Sequence, residues 1–154
     1  MNDFEALVRE AVEPLRRFLA RRTDPETAAD VLADTLLVAW RRRKEIPAEP
    51  LPWLYATARH CLANAERSVR RRARLDARLA AEPETPAAPE HDEVLIALAA
   101  LTATEQELLR LWAWEQLTPA EIATILDLTP NAVSIRLSRA KQHLRERLAA
   151  QPDM

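Results

Sequence analysis

The sequence contains no glycine and a single cysteine in its 154 residues. Loops that cradle phosphate groups are built on glycine, so this chain is not expected to carry one. The lone Cys61 excludes a disulfide framework and a metal site based on cysteine spacing. No apolar run is long enough to span a membrane, and the acidic start MNDFE does not resemble a signal peptide. We therefore expect a soluble, cytoplasmic protein without a membrane partner.

The patterns that indicate catalysis or metal binding are missing as well. The three histidines, His60, His91 and His143, do not have the spacing of metal ligands. No residues resemble a nucleophile and its general base. The sequence therefore predicts that the protein is not an enzyme: it predicts no catalytic residues, no metal, no cofactor and no small-molecule substrate.

The apolar residues recur with the period of helices, and the alternation typical of strands is hard to find. Residues 80–91, AAEPETPAAPEH, contain three prolines and three glutamates and have almost nothing to bury. We expect an all-α protein with two small helical domains, residues 1–79 and 92–150, joined by this flexible acidic linker.

The formal net charge of −2 conceals two basic stretches. Residues 1–80 carry 16 basic and 12 acidic side chains, whereas residues 81–101 carry five acidic side chains and no basic ones. Residues 134–147 carry five basic side chains and one acidic side chain, Glu146. Positive charge clustered on helices is the electrostatic signature of a nucleic-acid-binding protein.

Residues 118–147 are predicted to form two helices separated by a short turn. Thr118 and Glu121 have the spacing of a capping box, and Thr129 with Pro130 gives a second helix start. The second helix has apolar residues every three or four positions, and its other faces are rich in arginine and lysine. This order is typical of a helix-turn-helix, in which the second helix enters the major groove of DNA. An ordinary helical hairpin with a solvated basic face is the alternative.

The turn between these helices has no glycine. Asp127 occupies the position where glycine often adopts a left-handed backbone, and we expect it to tolerate that conformation at a modest cost.

The first domain is predicted to contain three helices. The first contains Pro14, which is expected to kink it, and the second starts after Asp24 and ends near Arg43. The second helix has a mixed acidic and apolar outer stripe, which is either a solvated face or a docking surface, formed by Asp30, Asp34, Leu37 and Arg41.

Three prolines in residues 44–52 predict a loop, after which Trp53 opens a long helix. Aromatic and basic residues alternate on its outer side, which suits stacking on exposed bases together with neutralisation of phosphates. An alternative for Trp53 and Tyr55 is that they belong to the core. The outer side comprises Trp53, Tyr55, Arg59, His60, Asn64 and Arg67, and it continues into Arg70, Arg71, Arg72 and Arg74.

Taken together, these segments resemble the extracytoplasmic-function (ECF) group of bacterial sigma factors, the promoter-recognition subunits of RNA polymerase. The resemblance covers nearly the whole chain. DPETAADVLADTLLVAW (24–40) is similar to the region-two helix that docks on the polymerase clamp, and WLYATARHCLANAERSVRRR (53–72) to the helix that melts and recognises the minus-ten element. Residues 101–144 resemble region four, which recognises the minus-thirty-five element.

The resemblance implies a protein that binds core RNA polymerase and promoter DNA, with an anti-sigma factor as a further possible partner. Polymerase binding is implied for Asp30, Asp34, Leu37 and Arg41. Contacts with the upstream element are implied for Asn131, Ser134, Ile135, Arg136, Arg139 and Lys141. Contacts with the downstream element, and its melting, are implied for Trp53, Tyr55, Arg59, His60, Asn64, Arg67, Arg70 and Arg71.

Two other functions stay open from the sequence. The chain has the features of a helix-turn-helix transcriptional regulator, although that function leaves the aromatic and basic helix at residues 53–72 without a role. It also fits a sigma-like decoy that binds polymerase without recognising DNA, because His60, Asn64 and Ser134 depart from the residues common in the family.

Overall fold

The computed structural model describes residues 3–76 and 92–150. These parts contain seven α-helices and no strand, which confirms the all-α prediction. The chain divides into two compact units, Met1–Glu82 and Pro83–Met154. The linker predicted at residues 80–91 lies outside the described residues. The helices are α1 (Asp3–Ala20), α2 (Pro25–Arg41), α3 (Pro50–Asp76), α4 (Glu93–Ala99), α5 (Ala103–Ala113), α6 (Pro119–Leu126) and α7 (Pro130–Ala150).

In the first unit, α1, α2 and α3 pack against one another around an apolar core. α1 continues on both sides of Pro14, so the proline does not divide it. The side chains that are fully buried include Leu15, Phe18, Val31 and Leu54. Burial of each such side chain stabilises the unit by about 1.5–3 kcal/mol.

The start of α2 follows directly from its sequence. Asp24 caps the helix, because its carboxylate accepts hydrogen bonds from the Thr27 amide at 2.9 Å and the Thr27 hydroxyl at 2.7 Å. These two bonds hold the pKa of Asp24 below its ordinary value. Pro25 fits at the first helical position, where the missing amide has no partner to lose.

The start of α3 differs from the prediction. The helix begins at Pro50 rather than at Trp53, so the loop is shorter than the proline pattern of residues 44–52 suggested. Both Pro50 and Pro52 lie in the first helical turn, where amides have no acceptor within the helix. Proline is therefore tolerated there, and Pro52 is buried against the unit.

In the second unit, α7 packs against α4, α5 and α6. Asp92 and Thr102 cap α4 and α5, because their side-chain oxygens accept hydrogen bonds from backbone amides in the first turn. The buried side chains of this core include Leu98, Leu108, Leu111, Ile122 and Val133. The unit thus holds α7 along one face and leaves the opposite face open.

Candidate nucleic-acid interface

The first helix of the pair predicted at residues 118–147 begins with a complete capping box. The Glu121 amide donates to the Thr118 hydroxyl at 3.2 Å, and the Thr118 amide donates to the Glu121 carboxylate at 3.0 Å. Two amides at the N-terminal end of α6 therefore each find an acceptor in the side chain of the other residue. Ile122, Ala123 and Ile125 are buried, which seats this short helix on the rest of the unit.

The turn between α6 and α7 has three residues, and its first residue has a left-handed backbone. Asp127 has φ 55° and ψ 50°, and the Leu128 amide donates to the Ala123 carbonyl at 3.0 Å. Asp127 thus adopts the left-handed conformation expected at this position. Thr129 then caps α7, because its hydroxyl accepts from the Ala132 amide at 3.1 Å. The local sequence signals therefore fix both ends of the turn.

The second helix of the pair, α7, has one buried ridge and one open face. Val133, Leu137 and Ala140 form the ridge, and they are at most 4% exposed. Helical geometry of about 100° per residue places Asn131 and Ile135 opposite this ridge. All but one of the upstream-element residues predicted from the sequence are exposed on α7, namely Asn131, Ser134, Ile135, Arg136 and Arg139.

Two residues on this open face were missed in the sequence prediction. Ser138 and Gln142 are exposed and continue the line from Asn131 and Ile135 along the helix. Ser138 lies three residues after Ile135 and Gln142 four residues after Ser138, and this helical spacing was the signal that could have identified them. The predicted set followed the resemblance to the family and did not include these two residues.

Lys141 is placed differently from the other predicted DNA contacts. It is partly buried, and its ammonium lies 3.7 Å from the centre of the Trp112 ring on α5. A cation over the face of an indole ring is attracted by the electrons of the ring. Lys141 therefore points toward α5 and away from the line of Asn131, Ile135, Ser138 and Gln142.

On α3, the predicted DNA-binding residues form a long exposed stripe. Helical geometry turns His60, Asn64, Arg67 and Arg71 to the side opposite the core, and adds Arg74 to the same side. Arg67 donates a hydrogen bond to Asn64 on this stripe. The exposed members of the predicted set are Arg59, His60, Asn64, Arg67, Arg70 and Arg71.

The two aromatic residues predicted for this stripe behave differently from each other. Trp53 is half-buried, and the Arg42 guanidinium lies 5.3 Å from the centre of its ring. Tyr55 is only 5% exposed and stacks on Phe18, with 4.9 Å between ring centres. The placement of Tyr55 on the outer side was wrong, because the ring fills the space between α3 and α1. Its ring is not available for stacking on a base.

The outer stripe of α2 is exposed as predicted, and Leu37 leaves 52% of its surface open. Asp30, Asp34, Leu37 and Arg41 recur every three or four residues, so they share one face. Beside them on α2 is a mostly apolar groove of about 500 Å³, which also involves α1. It is lined by Arg16, Ala20, Pro25, Ala28, Ala29, Leu32, Ala33 and Leu36.

Residues 3–76 and 92–150 hold no group of His, Cys, Asp or Glu side chains arranged to bind a metal ion. Burial raises the pKa of the Cys61 thiol, which keeps it in the less reactive form. Within the same ranges, no helix combines the length and the apolar content needed to cross a bilayer.

Comparison with known proteins agrees with the helix-turn-helix geometry. Residues 91–144 match the family model described as sigma-70, region 4. A probable RNA polymerase sigma factor from Xanthomonas campestris pv. campestris, RfaY, is 31% identical over 144 residues, which is 84% of this chain. The chain spans only 36% of the length of that relative.

Three solved structures share the fold over nearly the whole of this chain. The sigma factor RpoE of Bartonella quintana, solved in complex with the anti-sigma factor NepR, aligns with a TM-score of 0.68 and 21% identity over 99% of this chain and 100% of that chain. CnrH, solved with the cytosolic domain of CnrY, aligns with a TM-score of 0.66 and 25% identity over 97% of this chain and 89% of that chain. The PhyRSL–NepR complex of Sphingomonas sp. Fr1 gives a TM-score of 0.63 at 19% identity, over 96% of this chain and 92% of that chain.

The arrangement of α6, the turn and α7 defines a protein of the helix-turn-helix class. The chain is a homologue of bacterial RNA polymerase sigma factors, and residues 91–144 belong to the sigma-70 region 4 family. The resemblance to the ECF group is confirmed.

Proposed function

We propose that the protein is an ECF-type sigma factor that binds core RNA polymerase and directs promoter-specific initiation of transcription without performing chemistry itself. The observation that carries the proposal is the α6–turn–α7 helix-turn-helix within the stretch that matches sigma-70 region 4. We assign polymerase docking and minus-ten recognition to residues 1–79, and minus-thirty-five recognition to residues 92–150.

The upstream element is contacted by the open face of α7. Arg136 and Arg139 are exposed in the N-terminal half of α7, and recognition helices contact base edges from their N-terminal part. An arginine that donates two bonds to a guanine discriminates by about 1–3 kcal/mol. Ile135 is 46% exposed, and its apolar side chain suits contact with a thymine methyl group.

The downstream element is contacted by the stripe of α3. The part of the helix after Leu62 has no buried residue, so it extends beyond the packed core of its unit. Arg67, Arg70, Arg71 and Arg74 neutralise phosphates there, and His60 and Asn64 lie nearer the core on the same side. Trp53 lies at the start of the stripe and offers a partly open ring for stacking on an unwound base.

Core polymerase docks on α2. The face formed by Asp30, Asp34, Leu37 and Arg41 combines charge with an exposed leucine, which is typical of a protein interface. The apolar groove beside it adds surface whose burial by a partner stabilises the complex.

Each DNA-binding helix is weak by itself at physiological salt. Every phosphate contact contributes a slope of about −0.9 to the dependence of log affinity on log salt concentration, so a handful of contacts loses much affinity as salt rises. Polymerase compensates by holding the two sites at a fixed spacing. The second contact then becomes intramolecular, with an effective concentration on the order of millimolar.

An anti-sigma factor is proposed as a further partner. The Bartonella and CnrH structures hold their sigma factors in complex with NepR and with the cytosolic domain of CnrY. The exposed Leu37 face of α2 offers a surface that an inhibitor and polymerase would compete for.

Polymerase binding is tested by charge reversal on α2. We expect Asp34→Arg to abolish co-purification with core RNA polymerase, because it places a cation in the docking face. Glu10→Arg makes the same charge change at an exposed position on α1 and should leave co-purification intact. Normal polymerase binding by Asp34→Arg would show that this face of α2 is not the docking surface.

DNA recognition is tested by truncation on α7. If Arg139 contacts a base, Arg139→Ala loses about 1–3 kcal/mol of binding at the upstream element and relaxes its sequence preference. A phosphate contact would instead weaken all sequences alike and lower the salt slope. Unchanged promoter-dependent transcription by Arg136→Ala and Arg139→Ala would contradict this placement of α7.

The two alternatives give other results in the same assays. A helix-turn-helix regulator binds a selected duplex without polymerase and needs no docking face on α2. A decoy binds polymerase through α2 but directs no transcripts.

A further inference from the structure

Two contacts join α5 to α7 at positions far apart in the sequence. On one side, the Lys141 ammonium lies over the Trp112 ring, 3.7 Å from its centre. On the other, the Glu105 carboxylate contacts Nδ1 of His143. Glu105 is itself held at the start of α5, because it accepts a hydrogen bond from the Thr102 hydroxyl at 3.0 Å.

The two contacts lie on opposite flanks of α7. Lys141 and His143 are about 160° apart around a helix of 3.6 residues per turn, measured on the side that carries the buried ridge of Leu137 and Ala140. Their partners on α5, Glu105 and Trp112, are seven residues apart and therefore lie on one face of that helix. Apolar contacts along a ridge permit small rotations of a helix, whereas directional contacts on both flanks oppose rotation in either sense.

From this geometry we infer that Trp112 and Glu105 fix the rotation of the recognition helix about its own axis, and that Lys141 is a positioning residue rather than a DNA contact. The inference rests on the proposed function, because the rotation determines which side chains of α7 face the groove. A rotation of about 20° moves the tip of a long side chain by more than the tolerance of a hydrogen bond. Loss of the contact on one flank therefore lowers discrimination between DNA sequences more than it lowers the overall affinity for DNA.

The first test uses the free full-length protein and no DNA. Lys141→Met keeps the alkyl chain and removes the cation, so amide hydrogen exchange in residues 141–148 should accelerate by about two- to fivefold, as expected for the loss of an exposed cation–π contact. Arg145→Met is the matched control, because Arg145 is exposed on the same helix and bonds to Gln142 on that helix. Equal exchange rates in the wild type and Lys141→Met would overturn the inference.

The second test uses DNA in the presence of core polymerase. A duplex selected from a random library by the wild-type holoenzyme is compared with the same duplex carrying a scrambled upstream element. We expect Lys141→Met to reduce the ratio of the two affinities by about two- to fivefold with an unchanged salt slope, and Lys141→Arg, which preserves a cation over the ring, to restore the ratio. A general loss of stability would lower both affinities together and would leave their ratio unchanged.

Two other results decide against the inference. A salt slope reduced by about 0.9 with an unchanged affinity ratio would show that Lys141 contacts a phosphate. If the wild-type holoenzyme selects no sequence while exchange still differs between the variants, the proposed function fails and the role in DNA recognition fails with it. The contacts between α5 and α7 would stand in that case as part of the fold alone.

Discussion

The left-handed backbone of Asp127 predicts that glycine is more stable than alanine at this position, the reverse of the order expected at Gln142 in α7. Asp127 has φ 55°, and a residue with a Cβ atom pays about 1–2 kcal/mol for that conformation. Glycine avoids this cost but loses about 0.5–1 kcal/mol through the greater freedom of the unfolded chain. We therefore expect Asp127→Gly to be more stable than Asp127→Ala by about 1 kcal/mol.

The same pair of substitutions at Gln142 is the control. Gln142 is exposed in the interior of α7, where glycine is less favourable than alanine by about 0.8–1.0 kcal/mol. Gln142→Ala should therefore be more stable than Gln142→Gly, which is the reverse of the order at Asp127.

The assay is amide hydrogen exchange of buried positions such as Val133 and Leu137, which reports the opening of the second unit by itself. A difference of 1 kcal/mol corresponds to about a fivefold difference in exchange rate. If glycine proves less stable than alanine at both Asp127 and Gln142, the turn does not have the left-handed geometry on which the placement of α7 depends.

Three further predictions follow from particular contacts. Thr118→Ala should destabilise the second unit by about 1 kcal/mol in urea unfolding, because the capping box loses its hydroxyl. Tyr55→Ala should destabilise the first unit by about 3–5 kcal/mol in urea unfolding. Tyr55→Phe keeps the ring stacked on Phe18 and should melt promoter DNA normally. Loss of promoter melting in Tyr55→Phe would show that the Tyr55 hydroxyl contacts DNA. The contact with His143 holds the pKa of Glu105 below its ordinary value of 4.5, so its contribution to stability is present above that pH and is lost as the pH falls through the lowered pKa. Acid unfolding followed by circular dichroism should therefore be less steep in Glu105→Gln, and an unchanged profile would exclude a contribution from the pair.

The parts of the fold that could be predicted from the sequence are those set by local signals. The caps at Thr118 and Thr129, and the left-handed Asp127, depend on residues within a few positions of one another. Short-range patterns of this kind are visible in a single sequence. The open face of α7 followed from them, because the buried ridge defines its opposite side.

The parts that could not be predicted depend on neighbours distant in the sequence. Tyr55 follows the buried Leu54, and both are in the core because α3 packs against α1 as well as α2. A helix with two partners buries a wider arc than a single stripe, and the sequence alone does not show this. Lys141 was assigned to DNA, whereas its partner Trp112 is on another helix, and the sequence alone does not show that the two side chains meet.

Run-off transcription is the most direct test of the central claim that two small helical units recognise a promoter only when polymerase holds them. The purified protein is added to core polymerase with a library of genomic fragments, and transcript start sites are mapped. We expect discrete new start sites that vanish with Asp34→Arg and persist with Glu10→Arg. Core polymerase that binds the protein and gains no start site would contradict the account.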